Sequence, residues 1–196
     1  MKLLERILDG RIKKSVEMEI GEEQQGFRNG RGTTDGMFPL RQLVEKRLEV
    51  QGGMALEFVD LEKAYNTVPR EIVIATLTWI EVPEAGVRLV EGMYKGTKGR
   101  VLVGPGMSVL SVNIGLRQGS FLSQLMFITV MELVSKKVSL RGSIGRILYA
   151  DDLAVVGESE RKMQEVVGEC TEVLGKYELN ISMEKTEVMW VGQQRK

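Results

Sequence analysis

Leu148–Val156 reads LYADDLAVV: two apolar, β-branched-rich segments, Ile147–Tyr149 and Leu153–Val156, flank Ala150-Asp151-Asp152. Short apolar runs broken by turn residues predict a hairpin of two buried strands. Aspartate suits a tight turn, so a solvated polar turn is one reading of the pair. The other is a turn that offers carboxylates to a divalent cation. Mg²⁺ takes oxygen ligands and commonly uses one or two carboxylates together with substrate phosphates.

Working outward, the run MALEFVDL (Met54–Leu61) predicts a buried strand that ends at Asp60. An acidic strand end is ordinary alone. A third carboxylate beside a pair is what two-metal phosphoryl transfer needs, because two cations about 4 Å apart require several bridging oxygens. LRQGS (Leu116–Ser120) opens the helix that follows, whose Leu122, Leu125, Met126, Thr129, Val130, Leu133 and Val134 recur at helical spacing and predict an amphipathic helix. Glycine before a helix permits close approach of a ligand to backbone, and free N–H groups there favour phosphate; a plain capped helix start is the alternative.

Other helices are predicted over Met1–Met18, Gly36–Glu49 (capped by Thr34 or Asp35), Ile72–Ile80 behind Pro69, Glu84–Lys95, and Glu160–Tyr177 capped by Ser159. Arg100–Val103 and Val109–Leu116 predict strands around Gly104-Pro105-Gly106, and Glu187–Val191 predicts a last one. Interleaved strands, hairpins and helices predict an α+β fold: a mixed antiparallel sheet packed by helices on one side. Cys170 falls on the apolar face of its helix and reads as core.

Composition narrows the chemistry. The 196 residues include no histidine and one cysteine, which excludes histidine-based triads, histidine-ligated zinc, Cys₄ sites and an internal disulfide. No run of about 18 apolar residues and no signal-like N-terminus is visible, so an intracellular protein of nucleus or cytoplasm is expected, not secreted and without a membrane partner. The 27 basic and 27 acidic residues cancel, but unevenly: 48–86 carries −5, 87–146 carries +7 and 147–196 carries −4. A basic middle suits a polyanion; ordinary fluctuation of solvated charge is the other reading.

The ordered blocks FVDLEKAY, LRQGSFLSQLMF, YADD and LNISMEKTEV, with GFRNGRGTTD and KLLERIL upstream, resemble the reverse transcriptases of non-LTR (LINE-type) retrotransposons over essentially the whole chain. The resemblance implies the fingers and palm of a right-hand polymerase, with 1–53 as partial fingers and 54–196 mainly palm. It implies RNA-templated addition of dNTPs to a DNA primer 3′-hydroxyl, with Mg²⁺ (or Mn²⁺) as cofactor. It assigns Asp60, Asp151 and Asp152 to metal, and Lys185 to the departing pyrophosphate as a proton donor. Leu61, Tyr65, Gln118 and Gly119 match nucleotide-pocket positions, Tyr65 as the aromatic under the incoming sugar. Arg28, Arg31 and Arg117 match basic positions toward nucleic acid.

The chain departs from that pattern at Asn66 (usually Asp), Gln124 (usually proline), Ser182 (often asparagine) and Glu178 (often glycine), and Met107–Val112 is slightly short. By the same comparison the early fingers, the thumb and an endonuclease are expected to lie outside these 196 residues. Phosphate contacts supply much of the affinity for nucleic acid, so weak or absent activity alone is expected. A non-catalytic remnant that binds RNA or protein is the alternative. An RRM-type sheet is disfavoured by the 6% aromatic content.

Overall fold

The computed structural model describes residues 2–104, 106–139 and 143–192. In chain order the elements are α1 (Lys2–Glu19), α2 (Thr33–Glu49), β1 (Met54–Val59), α3 (Ala64–Thr67), α4 (Arg70–Trp79), α5 (Glu84–Tyr94), β2 (Lys98–Val103), β3 (Gly106–Ser111), α6 (Phe121–Lys137), β4 (Ser143–Tyr149), β5 (Asp152–Gly157), α7 (Glu160–Lys176) and β6 (Glu187–Val191). Four strands form an antiparallel sheet in the order β4-β5-β1-β6, and β2 and β3 form a separate two-stranded ribbon.

The sheet has two faces because side chains alternate along a strand. Ala55 and Val59 of β1, with Leu153 and Val155 of β5, join the main core with α1, α4, α5, α6 and α7. Met54, Leu56 and Val156 point the other way, onto Leu40, Leu43 and Val44 of α2. The expected helical layer on one side is therefore present, and α2 adds a partial cover on the other. Burial on both faces explains why β1 is apolar nearly throughout rather than alternating.

Helix α6 is where the pattern misled most. It is buried all round, with twelve of its residues inaccessible, Ser123, Thr129, Glu132 and Ser135 among them. Three of these are satisfied locally: the Thr129 and Ser135 hydroxyls donate to Met126 O and Glu132 O, and the Lys136 Nζ lies 3.5 Å from the Glu132 carboxylate; the Ser123 hydroxyl instead hydrogen-bonds the Tyr94 hydroxyl of α5 at 3.1 Å. It is thus the central helix of the layer, not an amphipathic one at its edge.

Smaller differences have local causes. Helix α2 starts at Thr33, three residues before the expected Gly36, with Gly32 rather than Thr34 or Asp35 as its N-cap, and Asp35 accepts the Gly32 N–H at 2.7 Å from inside the first turn. Helix α4 starts at Arg70, two residues before the expected Ile72, with Pro69 as its N-cap. Strand β3 ends at Ser111 instead of running to Leu116, because the next segment leaves the ribbon to bond α3. Pro105 lies outside the described residues. Ser120 and Ser159 cap α6 and α7 through their side chains, as their positions predicted. Cys170 is buried in the core, and burial pushes its thiol up to about 11.

Candidate active site

The site forms where β1, β5 and the β4–β5 turn meet. Val59 pairs with Leu153, so Asp60 is the next residue out opposite Asp152, on the face that carries Phe58 and Ala154. Tyr149 and Asp152 close the hairpin, with Ala150 and Asp151 as its two turn residues. Ala150 has φ +60°, and Asp151 is not in the left-handed region. A positive φ at the first central position alone is the requirement of a II′ hairpin turn, whose twist matches its strands.

Lys185 arrives from far along the chain. Leu61 bridges Ile181, Ser182 N–H donates to Asp60 O at 2.8 Å, and Glu62 N–H donates to Asn180 O at 2.8 Å. This stitching sets the Lys185 Nζ 3.4 Å from Asp60 Oδ1. Asp60, Asp152, Lys185, Phe58 and Tyr149 then share a cleft of about 390 Å³ with Thr33, Gly36, Met37 and Leu40 of α2.

Like charges opposed across strands repel. Desolvation in the cleft, then the charges of Asp151 and Asp60, raise the Asp152 carboxyl above the ordinary range, and Lys185 opposes them. Asp152 still keeps much of its surface in water. Among the described residues no three acidic or sulfur side chains close into a ready-made metal cage. The donor set nonetheless fits a hard cation that takes one or two carboxylates and completes its shell with phosphate oxygens and water.

Tyr65, on the short helix α3, stacks on Phe127 of α6, with ring centroids 4.4 Å apart. Its hydroxyl is buried without a protein partner, and burial, then the charge of Asp151, raises its pKa above the usual phenol range. The segment before α6 is fastened to α3: Gly115 N–H donates to Val68 O, Leu116 N–H donates to Tyr65 O, and the Gln118 side chain donates to Asn66 Oδ1 at 3.2 Å. Gln118 and Gly119 are exposed beside that helix, and Gly119 has φ +75°.

Of the expected residues the cleft itself gathers Asp60, Asp152 and Lys185; Asp151 sits in the adjoining turn, Tyr65, Gln118 and Gly119 lie at α3 and before α6, and four others are engaged elsewhere. Leu61 is 4% exposed and belongs to the core, since alternation turns it away from Asp60's face. Arg117 donates to Met93 O at 2.8 Å, lies over the Tyr94 ring and pairs with Glu5 at 3.8 Å. Arg28 donates to Gly21 O and Gln24 O. Arg31 pairs with Glu22 and donates to Gln25 Oε1. All three guanidiniums bond the protein's own backbone or side chains, which engages part of each donor fork. The sequence reading in turn passed over Gln24, Gly26 and Phe127, which touch the site's turn or its aromatic. Their contacts are long-range, so no local pattern marks them.

A profile of the family described as Reverse transcriptase (RNA-dependent DNA polymerase) matches residues 1–196. The chain belongs to the reverse transcriptase family. It is 26% identical over 170 residues to a retrovirus-related Pol polyprotein from the type-1 retrotransposable element R2 of Popillia japonica, covering 81% of this chain and 24% of that protein. The R2 polyprotein of Nasonia vitripennis is likewise 26% identical over 169 residues, covering 81% of this chain and 16% of that protein. These matches place the domain with non-LTR retrotransposon reverse transcriptases. It spans about a quarter or less of the relatives' length. In fold it is similar to an apo telomerase of Candida tropicalis truncated from its C-terminal domain, with TM-score 0.73 at 10% identity over 97% of this chain and 40% of that one. It is also similar to a Candida tropicalis telomerase in complex with a fragment of telomeric RNA, with TM-score 0.69 at 11% identity over 92% and 33%. The fingers-and-palm architecture of this reverse transcriptase domain is thus shared at very low identity.

Proposed function

We propose that this chain is the catalytic palm of an RNA-directed DNA polymerase that adds dNTPs to a DNA primer 3′-hydroxyl on an RNA template. The observation that carries the reading is Asp60 opposite Asp152 on one sheet face, with Asp151 in the adjoining turn and Lys185 against Asp60. Asp60, Asp151 and Asp152 would hold Mg²⁺, with Mn²⁺ able to substitute. Bound there, a divalent cation supplies charge stabilisation to the attacking and leaving oxygens of an in-line displacement. The residues of the chain do the rest. Lys185, mostly exposed at the cleft, supplies a positive charge and a proton for the departing pyrophosphate. The Tyr65 ring, held flat on Phe127, forms a rigid floor for the incoming sugar. Gln118 and Gly119 line the approach beside it. Consumption of dNTPs implies an intracellular setting, in nucleus or cytoplasm.

The test is Mg²⁺- or Mn²⁺-dependent extension of a DNA primer on an RNA template by the 196-residue chain. Extension is expected to fall by on the order of a hundredfold or more in Asp151→Ala. Divalent-ion binding is measured in parallel. No extension together with no ion binding would overturn the catalytic reading in favour of a non-catalytic binding module.

A further inference from the structure

The Ala150 amide is the weak point of the acidic turn. A two-residue hairpin leaves the N–H of its central residues outside the ladder. Ala150 is 4% exposed, so this donor has no water to turn to. A non-glycine residue at φ +60° also costs on the order of 1 kcal/mol. Something must hold it.

Gln24 is that group. It is fully buried, and its Oε1 accepts the Ala150 N–H at 3.1 Å and the Gly26 N–H at 2.9 Å. Both partners are donors, which fixes the orientation of the amide. Its own Nε2 has no protein partner. The flanking backbone locks the pair in place: Gln25 N–H donates to Leu148 O at 2.8 Å, and Leu148 N–H donates to Glu23 O at 2.9 Å, a short parallel bridge on the outer edge of β4. Gly26 lies so close that a Cβ there would run into the Ala150 nitrogen. The sequence EQQG, 126 residues before the turn, thus docks against it directly.

We infer that Gln24 is the positioning residue of the acidic turn: its carboxamide oxygen holds the Ala150 peptide and through it sets Asp151 and Asp152 for a divalent cation. The part concerning the cation rests on the polymerase reading above; the part concerning the turn does not. Withdrawing the oxygen leaves a buried orphan N–H on a strained residue, and the turn shifts to satisfy it. Both carboxylates move with it.

The experiment uses the full 196-residue chain, Mn²⁺ as the probe and amide hydrogen exchange as the second readout. Gln24→Met keeps the length and removes the acceptor. Mn²⁺ affinity is expected to weaken on the order of tenfold, the scale of losing an outer-shell support. Protection of the Ala150 amide should be lost while Leu56, deep in β1, stays protected. Gln24→Asn draws the oxygen back by one methylene and serves if Gln24→Met does not fold. A role in stability alone would lower the melting temperature and leave Mn²⁺ affinity unchanged. Unchanged Ala150 protection in Gln24→Met or Gln24→Asn would overturn the inference. Failure of the parent to bind Mn²⁺ would overturn the metal reading, and Ala150 exchange would still decide whether Gln24 holds the turn.

Discussion

Asp152 shows how one residue carries both the cost and the use of the site. Its carboxyl is raised by desolvation and by two neighbouring aspartates. A carboxyl whose folded pKa lies above its unfolded value binds protons better when folded. It therefore costs no stability below the unfolded pKa, and its penalty grows as pH rises through the folded pKa. Asp152→Asn is accordingly expected to raise the melting temperature at pH 7 without divalent ions, with the gain shrinking toward pH 3. Thermal unfolding across that range checks it; a gain independent of pH would mean that charge is not the cause. The same variant should lose primer extension. Asp60, Asp151 and Asp152 were each visible in sequence as acidic residues at apolar strand ends. That Asp60 faces Asp152, and not a different strand, depended on the β1–β5 register.

At the scale of elements, the site is assembled by short stitches rather than by long contacts. The segment 112–116 was expected to continue a strand. Instead Ile114 bridges Pro69, and Gly115 and Leu116 donate to α3, which fastens Tyr65 to the start of α6. Gly115 has φ +78°, and a Cβ there would sit 2.6 Å from Asn66 O. Gly115→Ala should cost about 2 kcal/mol or more in urea unfolding, from the left-handed backbone and the clash together. A cost near zero would show that the stitch yields easily. Helix α3 itself, four residues long, had no periodic signal to find. Helix α6 had a strong one, yet periodicity reports only the most apolar stripe. It did not reveal that α1, α4 and the sheet surround the helix, because Thr129, Glu132 and Ser135 are polar residues whose bonds are made within the helix.

For the whole molecule, the charge along the chain does not by itself say which basic groups the fold engages. The middle of the chain is basic, but Arg117 and Arg146 there are consumed internally, Arg146 by Ser135 O and Glu23. Arg117→Ala is thus expected to lower the melting temperature while leaving the salt dependence of RNA binding unchanged. A phosphate-contacting arginine would instead flatten the log–log slope by about 0.7–0.9 on removal. Binding titrations at several salt concentrations separate the two outcomes. The architecture matches telomerase at 10% identity. Many sequences satisfy the same pattern of buried faces, so overall fold tolerates wide change in sequence.

Local chemistry lies in the order of residues along the chain. The apolar runs of β1, β4 and β5, the serine caps of α6 and α7, the acidic turn and the absence of histidine all follow from near neighbours, and so did the family resemblance. What lies between distant segments was decided only by folding. Gln24 meets Ala150, Lys185 meets Asp60, Tyr65 meets Phe127, and Arg117 turns to Glu5. Each of these contacts joins residues many tens of positions apart, where side-chain type alone cannot name the partner. Sheet register and burial choose it, because a buried donor must find an acceptor and a buried charge its opposite.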